Sequence, residues 1–264
     1  MSKGQKLLQD GILLTEEGKW AKAIPKLEQA LEIFLAEKKQ EMIALSRSFL
    51  GLAYRPEKRY EDALEQFREF LKLVTDMNDR FGVAQAYLDI ALTLSLQKKY
   101  DPALDVMKNC LKIIKEELKD KDVEARALAN IGGIYLLKGD FETALAHYKE
   151  GLEIAEELDF IEGSSECYKG IAEIYEKKGQ LEQAEKYYQR SLGLYRLLRD
   201  AREESNVLLR LGALYSQLGK IKDAIFYFKQ SLKLKKRLGD ILGKTFCEKN
   251  LKILQEKIKS LKLK

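Results

Sequence analysis

Alanine recurs along this chain at a nearly constant interval. The six positions are separated by 40, 40, 41, 40 and 40 residues: Ala23, Ala63, Ala103, Ala144, Ala184 and Ala224. Twelve residues before each alanine lies a second small residue, in the order Gly11, Gly51, Ala91, Gly132, Ala172 and Gly212. A fixed period of this length is the signature of a fold that stacks similar structural units. Such folds present long surfaces, so the pattern favours recognition of another molecule over catalysis.

Within one period, the apolar residues have the spacing of two successive helices. The first stripe has one-face helical spacing and consists of Leu128, Ile131, Gly132 and Tyr135. The segment Lys138-Gly139-Asp140 interrupts it, since glycine commonly ends a helix and aspartate caps the next one. The second stripe follows at Phe141, Ala144, Leu145, Tyr148 and Leu152. Each period therefore predicts an antiparallel helix pair.

The small residues have a steric role in this prediction. Gly132 and Ala144 are expected where the two helices of a pair approach most closely. A larger side chain there would force the helices apart, at a cost of roughly 1–3 kcal/mol. Because each pair is apolar on two sides, it must stack on its neighbours to be stable.

Composition limits the class of protein. Hydrophobic residues make up 45% of the chain, which is too many for a disordered segment, and no run of about 20 apolar residues predicts a membrane span. The three cysteines lie far apart and form no CxxC pair, and the first residues do not have the pattern of a secretory signal. A sparse, odd cysteine count is typical of a reducing compartment, so we expect a cytoplasmic protein.

Four positions in each period resemble the signature of the tetratricopeptide repeat family. They are the small residue, a tyrosine three residues later, the periodic alanine, and a bulky residue four positions after that alanine. The complete copies are Gly51–Tyr54–Ala63–Phe67, Gly132–Tyr135–Ala144–Tyr148, Ala172–Tyr175–Ala184–Tyr188 and Gly212–Tyr215–Ala224–Phe228. Looser copies begin at Gly11 and Ala91. The common repeat of the family has 34 residues. The period of 40 resembles the subclass with longer helices, found in kinesin light chains, polarity scaffolds and bacterial peptide-sensing regulators.

This resemblance implies an all-α fold, a right-handed superhelical α-solenoid of antiparallel helix pairs. The six repeats would span about 4–39, 40–79, 80–120, 121–160, 161–200 and 201–240, with a basic capping helix over 241–264. Residues 231–264 carry 11 basic and 3 acidic residues, whereas the remainder is close to neutral. The apolar seam of the capping helix is predicted at Phe246, Leu251, Leu254, Ile258 and Leu261. Its other face is nearly all lysine, and it could be a solvated cap or a patch for an acidic partner, membrane or nucleic acid.

In this family the first helices line a concave groove that holds the ligand. Carried over to this chain, the groove is apolar in its N-terminal half and charged in its C-terminal half. The apolar residues could meet a peptide or pack within the stack, and the charged ones could pair internally or read a charged segment. The predicted binding residues are Phe49, Leu52, Leu88, Asp89, Leu92, Arg126, Asn130, Gly133, Glu166, Lys169, Glu173, Asn206 and Arg210.

We expect no catalytic site, cofactor or metal. The single histidine, His147, has no ligand set around it and is interpreted as a surface residue, and Cys110 occupies a small core position. The run Gly239–Thr245 ends in GKT, like a nucleotide-binding phosphate loop. That loop needs four residues between its glycines and a preceding strand, whereas here there are three residues and a preceding helix, so we do not expect nucleotide binding.

The predicted function is a scaffold or adaptor that binds a peptide or helix of a partner protein. Arg126 and Asn130 resemble the pair that related scaffolds use to hold an extended peptide. Two alternatives stay open: a self-assembling structural protein that uses its end repeats or capping helix, and a peptide-sensing regulatory module. A homo-oligomer is thus possible, whereas nucleic acid is not expected as the partner, because the basic segment lacks interleaved aromatic residues.

Overall fold

The computed structural model describes the backbone of residues 1–262 and the side chains of residues 1–260. These residues form thirteen α-helices and one π-helical turn, with no strand among them. The helices are α1 (Lys3–Glu16), α2 (Trp20–Ala36), α3 (Gln40–Tyr54), α4 (Tyr60–Asp76), α5 (Arg80–Leu96), α6 (Tyr100–Ile113), α7 (Lys121–Lys138), α8 (Phe141–Glu157), α9 (Ile161–Lys177), α10 (Leu181–Leu197), α11 (Ala201–Gln217), α12 (Ile221–Arg237) and α13 (Ile241–Lys262).

The helices belong to two compact units, Met1–Gly139 and Asp140–Lys264. Consecutive helices pack against each other from α1 to α7 in the first unit and from α8 to α13 in the second. Short connections make these neighbours antiparallel. The predicted all-α class of stacked helix pairs is confirmed, whereas the division into six repeats and a capping helix stays a prediction.

The helix ends repeat at half the alanine period. A residue in the left-handed region follows the helices at intervals of 20 residues, with a single interval of 21. The positions are Gly18, Lys38, Lys58, Asn78, Lys98, Lys119, Gly139, Asp159, Gly179, Arg199, Gly219 and Gly239. As predicted, Gly139 ends α7 with a φ of 89°, and Asp140 caps α8 by accepting a hydrogen bond from the Thr143 N–H. Gly239 and Asp240 repeat this junction, and the Gly243 N–H donates to Asp240 Oδ1 at 2.8 Å.

The single longer interval coincides with the π-helical turn, Ile114–Leu118, which extends α6. A π-helical hydrogen bond spans five residues, so such a turn accommodates one additional residue in a helix. The Lys119 N–H donates to the Ile114 carbonyl at 2.7 Å, and the Ile114 side chain is fully buried. The extra residue between Ala103 and Ala144 is therefore absorbed at the end of α6, and the packed face of the helix is retained.

The recurring small residues make room for large side chains. All six periodic alanines are fully buried. A Cβ atom added at Gly51 would lie 2.4 Å from the ring of Phe67, and one added at Gly212 would lie 2.9 Å from Phe228. The glycine therefore accepts the bulky residue of the following helix, which stands four positions after the alanine.

A second contact recurs between residues that are 26 positions apart. Ser191 Oγ donates to the Ser165 carbonyl at 3.0 Å, and Ser231 Oγ donates to the Ser205 carbonyl at 2.8 Å. Cys110 holds the equivalent place, since its Sγ lies 3.4 Å from the Ala84 carbonyl. Cys110 is fully buried, as predicted for a small core residue, and burial raises the pKa of its thiol to about 12.

The packed seam of α13 differs from the prediction. Cys247, Leu251 and Leu254 are buried, whereas Phe246 is 45% exposed and Ile258 is half-buried. The step of five residues from Phe246 to Leu251 rotates a helix well away from one face, whereas steps of four and three keep one face in register. The side chain of Leu261 and residues 263–264 lie outside the described residues.

We expect Gly51→Ala to lower the free energy of unfolding by about 1–3 kcal/mol, because the new methyl group would displace the Phe67 ring. The matched control is Gly193→Ala in α10, where an added Cβ meets no atom within 4 Å. That change should raise stability by roughly 0.5–1 kcal/mol, since alanine favours the helix. Urea unfolding followed by circular dichroism measures both, and equal stabilities would contradict this steric role.

Candidate functional site

In the first unit, the predicted binding residues lie on α3, α5 and α7, and those of α5 and α7 meet at one pocket. The pocket has a volume of about 170 Å³. Its apolar lining consists of Leu88, Ala91, Leu92, Met107 and Ile134. Its polar lining consists of Gln85, Asp89, Arg126 and Asn130. The predicted residues Leu88, Asp89, Leu92, Arg126 and Asn130 are thus brought together.

Arg126 and Asn130 present unused hydrogen-bonding groups at this pocket. They stand one turn apart on α7, both side chains are exposed, and neither makes a hydrogen bond or ion pair with another described residue. A guanidinium offers up to five N–H donors, and a primary amide both donates and accepts. These two side chains can therefore bind a polar ligand without breaking an existing contact.

Asp89, in contrast, is already engaged. Its side chain is 6% exposed, its Oδ1 accepts from Arg55 Nη1 at 3.1 Å, and its Oδ2 accepts from Gln85 Nε2 at 2.9 Å. Burial raises the pKa of Asp89, and the hydrogen bond from Gln85 and the charge of Arg55 only partly oppose this. Asp89 therefore joins the end of α3 to α5 and supports the pocket from beneath.

The apolar predictions divide between packing and exposure. Phe49, Leu52 and Leu88 are partly buried and pack against the core of the first unit. Leu92 is 44% exposed and lies at the pocket. Gly133 is half-buried on α7. Of the two interpretations left open, packing applies to Phe49 and Leu52, and an exposed apolar contact is offered chiefly by Leu92.

In the second unit, the predicted residues form an internally bonded network. Lys169 Nζ donates to Glu203 Oε2 at 2.7 Å, and Asn206 Nδ2 donates to Glu203 Oε1 at 3.1 Å. Lys235 in turn donates to Asn206 Oδ1. Although burial opposes the charge of Lys169, interactions with Tyr195 and Glu203 raise its pKa overall. The polar groups of Lys169 and Asn206 are thus satisfied by their own unit.

Beside this network lies a pocket of about 320 Å³, lined by Lys169, Glu173, Glu203, Asn206, Val207, Leu209 and Arg210. Arg210 Nη2 lies 4.0 Å from Glu173 Oε1, a distance at the limit of an ion pair. Burial raises the pKa of Glu173, and the charges of Arg210 and Lys169 oppose it. Glu166 is exposed on α9. The charged residues of this half were predicted either to pair with each other or to bind a charged peptide segment. The closest contacts among them are internal pairs.

Sequence reasoning missed several members of these sites. Met107 and Ile134 line the first pocket, and neither was among the predicted binding residues. Glu203 and Lys235 complete the second network, and they are separated from Lys169 by 34 and 66 residues. No sequence spacing indicates such pairs, because they form only where separate helices pack side by side.

His147 is half-buried, with Nδ1 3.9 Å from Glu150 Oε2, and is less solvated than its interpretation as a surface residue implied. Within residues 1–262, no group of three or more His, Cys, Asp or Glu side chains is placed to hold a metal ion. Over the same residues, none of the helices combines the length and the apolar character needed to cross a membrane.

Helix pairs that repeat about every 40 residues and expose both polar and apolar side chains define a helical-repeat scaffold for protein interactions. Two family models, both described as tetratricopeptide repeat, match the chain, one at residues 82–157 and 165–237 and the other at residues 8–78. The chain therefore belongs to the tetratricopeptide repeat family.

Among curated proteins, the chain is 30% identical over 153 residues to human tetratricopeptide repeat protein 29. The match covers 58% of this chain and 32% of that protein, so the chain spans about a third of this relative. Two solved structures share the fold. The Rap protein in complex with competence and sporulation factor has a TM-score of 0.70 at 18% identity, over 98% of this chain and 76% of that one. The Rap conjugation gene regulator of plasmid pLS20, in complex with the Phr* peptide, has a TM-score of 0.66 at 17% identity, over 97% and 74%.

We expect Asp89→Ala to lower the free energy of unfolding by about 2–4 kcal/mol, because it leaves the largely buried Arg55 without its partner. Asp89→Asn should cost about 1 kcal/mol or less, since the amide oxygen still accepts from Arg55 and the substitution removes the buried carboxylate charge. Urea unfolding of both variants tests this, and equal losses would show that the acceptor oxygen is not what stabilises the junction of α3 and α5.

Proposed function

We propose that this protein is an interaction adaptor that binds an extended peptide segment of a partner at the pocket between α5 and α7. The observation that carries the proposal is the pair of exposed, unpaired side chains, Arg126 and Asn130, beside an apolar depression. A polar pair next to an apolar cavity is the usual composition of a recognition site.

The size of the pocket indicates what part of a ligand enters it. At about 170 Å³ it is smaller than the pockets that enclose whole small molecules, and it suits one apolar side chain. Leu88, Leu92 and Ile134 would contact that side chain. Such a site recognises a ligand by one anchor residue and by the backbone next to it.

The polar side chains would recognise the rest of the peptide. Asn130 can donate to a peptide carbonyl and accept from a peptide N–H at the same time. Arg126 can pair with a carboxylate, and its fork of N–H groups suits bidentate contact. The preferred ligand is thus an extended segment with an apolar residue close to an acidic one.

Asp89, Gln85 and Arg55 would hold the floor of the site in place. Their hydrogen bonds orient the α5 face that carries Leu88 and Leu92. In the second unit, Lys169 and Asn206 are occupied by Glu203 and Lys235, so we assign them a supporting role there. In that unit, Arg210 and Glu173 would be the first residues to contact a ligand. Their ion pair, at 4.0 Å, is longer than the contacts of Lys169 and Asn206 with Glu203.

The comparisons support a protein-binding role without identifying the partner. Rap proteins of the same fold were solved with competence and sporulation factor and with the Phr* peptide. Their identity to this chain is below 20%, so they support the fold and the kind of ligand, and the residues that bind it are proposed from this chain alone.

A displayed peptide library selected on the intact chain, followed by fluorescence anisotropy with the selected peptides, tests the proposal. Arg126→Glu and Asn130→Leu should each weaken binding about tenfold or more. The first removes the charged hydrogen bonds to a carboxylate, and the second removes an amide that can donate to the peptide backbone and accept from it. The matched control is Arg68→Glu, an exposed charge reversal on α4, which should bind like the unmodified chain.

Circular dichroism should show equal helix content in all three variants, because the altered side chains are exposed. If the selected peptides bind the Arg126 and Asn130 variants as tightly as the unmodified chain, the pocket between α5 and α7 is not the binding site.

A further inference from the structure

The outer face of α12 carries a stripe of basic residues around one aromatic side chain. Its members follow helical steps of four, three, four and four residues, which places them on one face. They are Lys222, Phe226, Lys229, Lys233 and Arg237, and all five are exposed. We refer to them as the α12 basic face.

The corresponding helices of the same unit lack this face, although they repeat the same pattern. Forty residues earlier, on α10, the equivalent residues are Glu182, Lys186, Gln189, Gly193 and Leu197. Eighty residues earlier, on α8, they are Glu142, Ala146, Lys149, Glu153 and Glu157. Because these helices form without a basic stripe, helix packing does not require one on α12.

The charges of the α12 basic face are not compensated locally. None of its four cations makes a hydrogen bond or an ion pair with another described residue. Neighbouring cations do: Lys235 lies 2.8 Å from Asp240, and Lys236 lies 3.5 Å from Glu248. Four unpaired positive charges along one helix face create a positive potential that attracts an anionic surface.

Exposed apolar side chains lie within this stripe and shortly after it in the chain. Phe226 is 55% exposed, and Ile241 and Leu242, which begin α13 after the turn that follows Arg237, are 74% and 84% exposed. The equivalents of Ile241 and Leu242 forty residues earlier are Ala201 and Arg202, so the repeat does not demand large apolar residues there. Their exposure to water is unfavourable, and removing them from water would stabilise a bound state.

We propose that the α12 basic face, together with Ile241 and Leu242, binds the surface of an anionic lipid bilayer. Lysine side chains spread along a helix suit the diffuse negative charge of lipid headgroups. Projecting apolar side chains can enter the headgroup and acyl boundary wherever they stand, whereas a protein partner would need a matching cavity for each one.

A nucleic acid suits the same surface less well. Single-stranded nucleic acids are held by stacking of their bases on aromatic rings. The face offers one such ring, Phe226, and Ile241 and Leu242 have no flat surface for a base. The proposal uses residues of the second unit that the peptide site does not include, so either can fail without the other.

The test is co-sedimentation of the intact chain with vesicles of phosphatidylcholine and phosphatidylserine in a ratio of about 7:3, with pure phosphatidylcholine vesicles as the reference. We expect binding to the mixed vesicles only, and we expect it to weaken as salt is raised, since salt screens exposed charges. The absence of binding to the mixed vesicles would overturn the proposal.

Two double variants test the residues. Lys229→Glu with Lys233→Glu should lower the vesicle partition coefficient about 25-fold or more, because each lysine contributes about fivefold. Its control, Lys149→Glu with Lys186→Glu, makes the same charge change on the outer faces of α8 and α10 and should have a much smaller effect. Ile241→Ser with Leu242→Ser should weaken partitioning about tenfold at unchanged charge.

Circular dichroism should show that each variant keeps its helices. An equal loss in the charge-reversal variant and its control would mean that net charge alone binds the vesicles, which would refute this assignment. Binding of a single-stranded oligonucleotide that depends on Phe226, without binding to vesicles, would identify a nucleic-acid surface and likewise overturn the proposal.

Discussion

The fold depends on the fit of a bulky side chain from one helix against a glycine of the helix before it. Phe67 lies against Gly51 and Phe228 against Gly212, and the periodic alanine four positions before each ring is fully buried. The contact is short because neither helix has a side chain that would hold the other away. Since each helix pair has a further apolar face, the same contact commits the chain to stacking.

This packing leaves exposed positions on several helices without a structural task, and the candidate sites draw on such positions. The pocket between α5 and α7 takes its polar groups from residues that the core does not need, Arg126 and Asn130. The α12 basic face is a second example, because the equivalent positions of α8 and α10 hold a single lysine each, among acidic and neutral residues. Repeats thus serve as internal controls: where one helix departs from the others at an exposed position, packing cannot be the reason.

Much of the fold could be predicted from periodicity, because packing constrains every repeat in the same way. The start of α8 at Phe141 and the junction at Gly139 and Asp140 follow directly from the pattern. The π-helical turn could not be predicted, since an interval of 41 residues reveals an insertion without showing where it is absorbed. The seam of α13 was wrong at Phe246, because apolar character alone did not distinguish a buried residue from an exposed one.

By itself, the sequence determined the helical class, the positions of the turns and the residues of the core, since each depends on local spacing and on the burial of apolar side chains. Only the tertiary structure decided which predicted site residues are available. Asp89 is held by Arg55 and Gln85, and Lys169 and Asn206 are held by Glu203 and Lys235, whereas Arg126 and Asn130 are unpaired. The physical reason is that a hydrogen bond between helices depends on distance in space, which residue spacing along one helix does not contain.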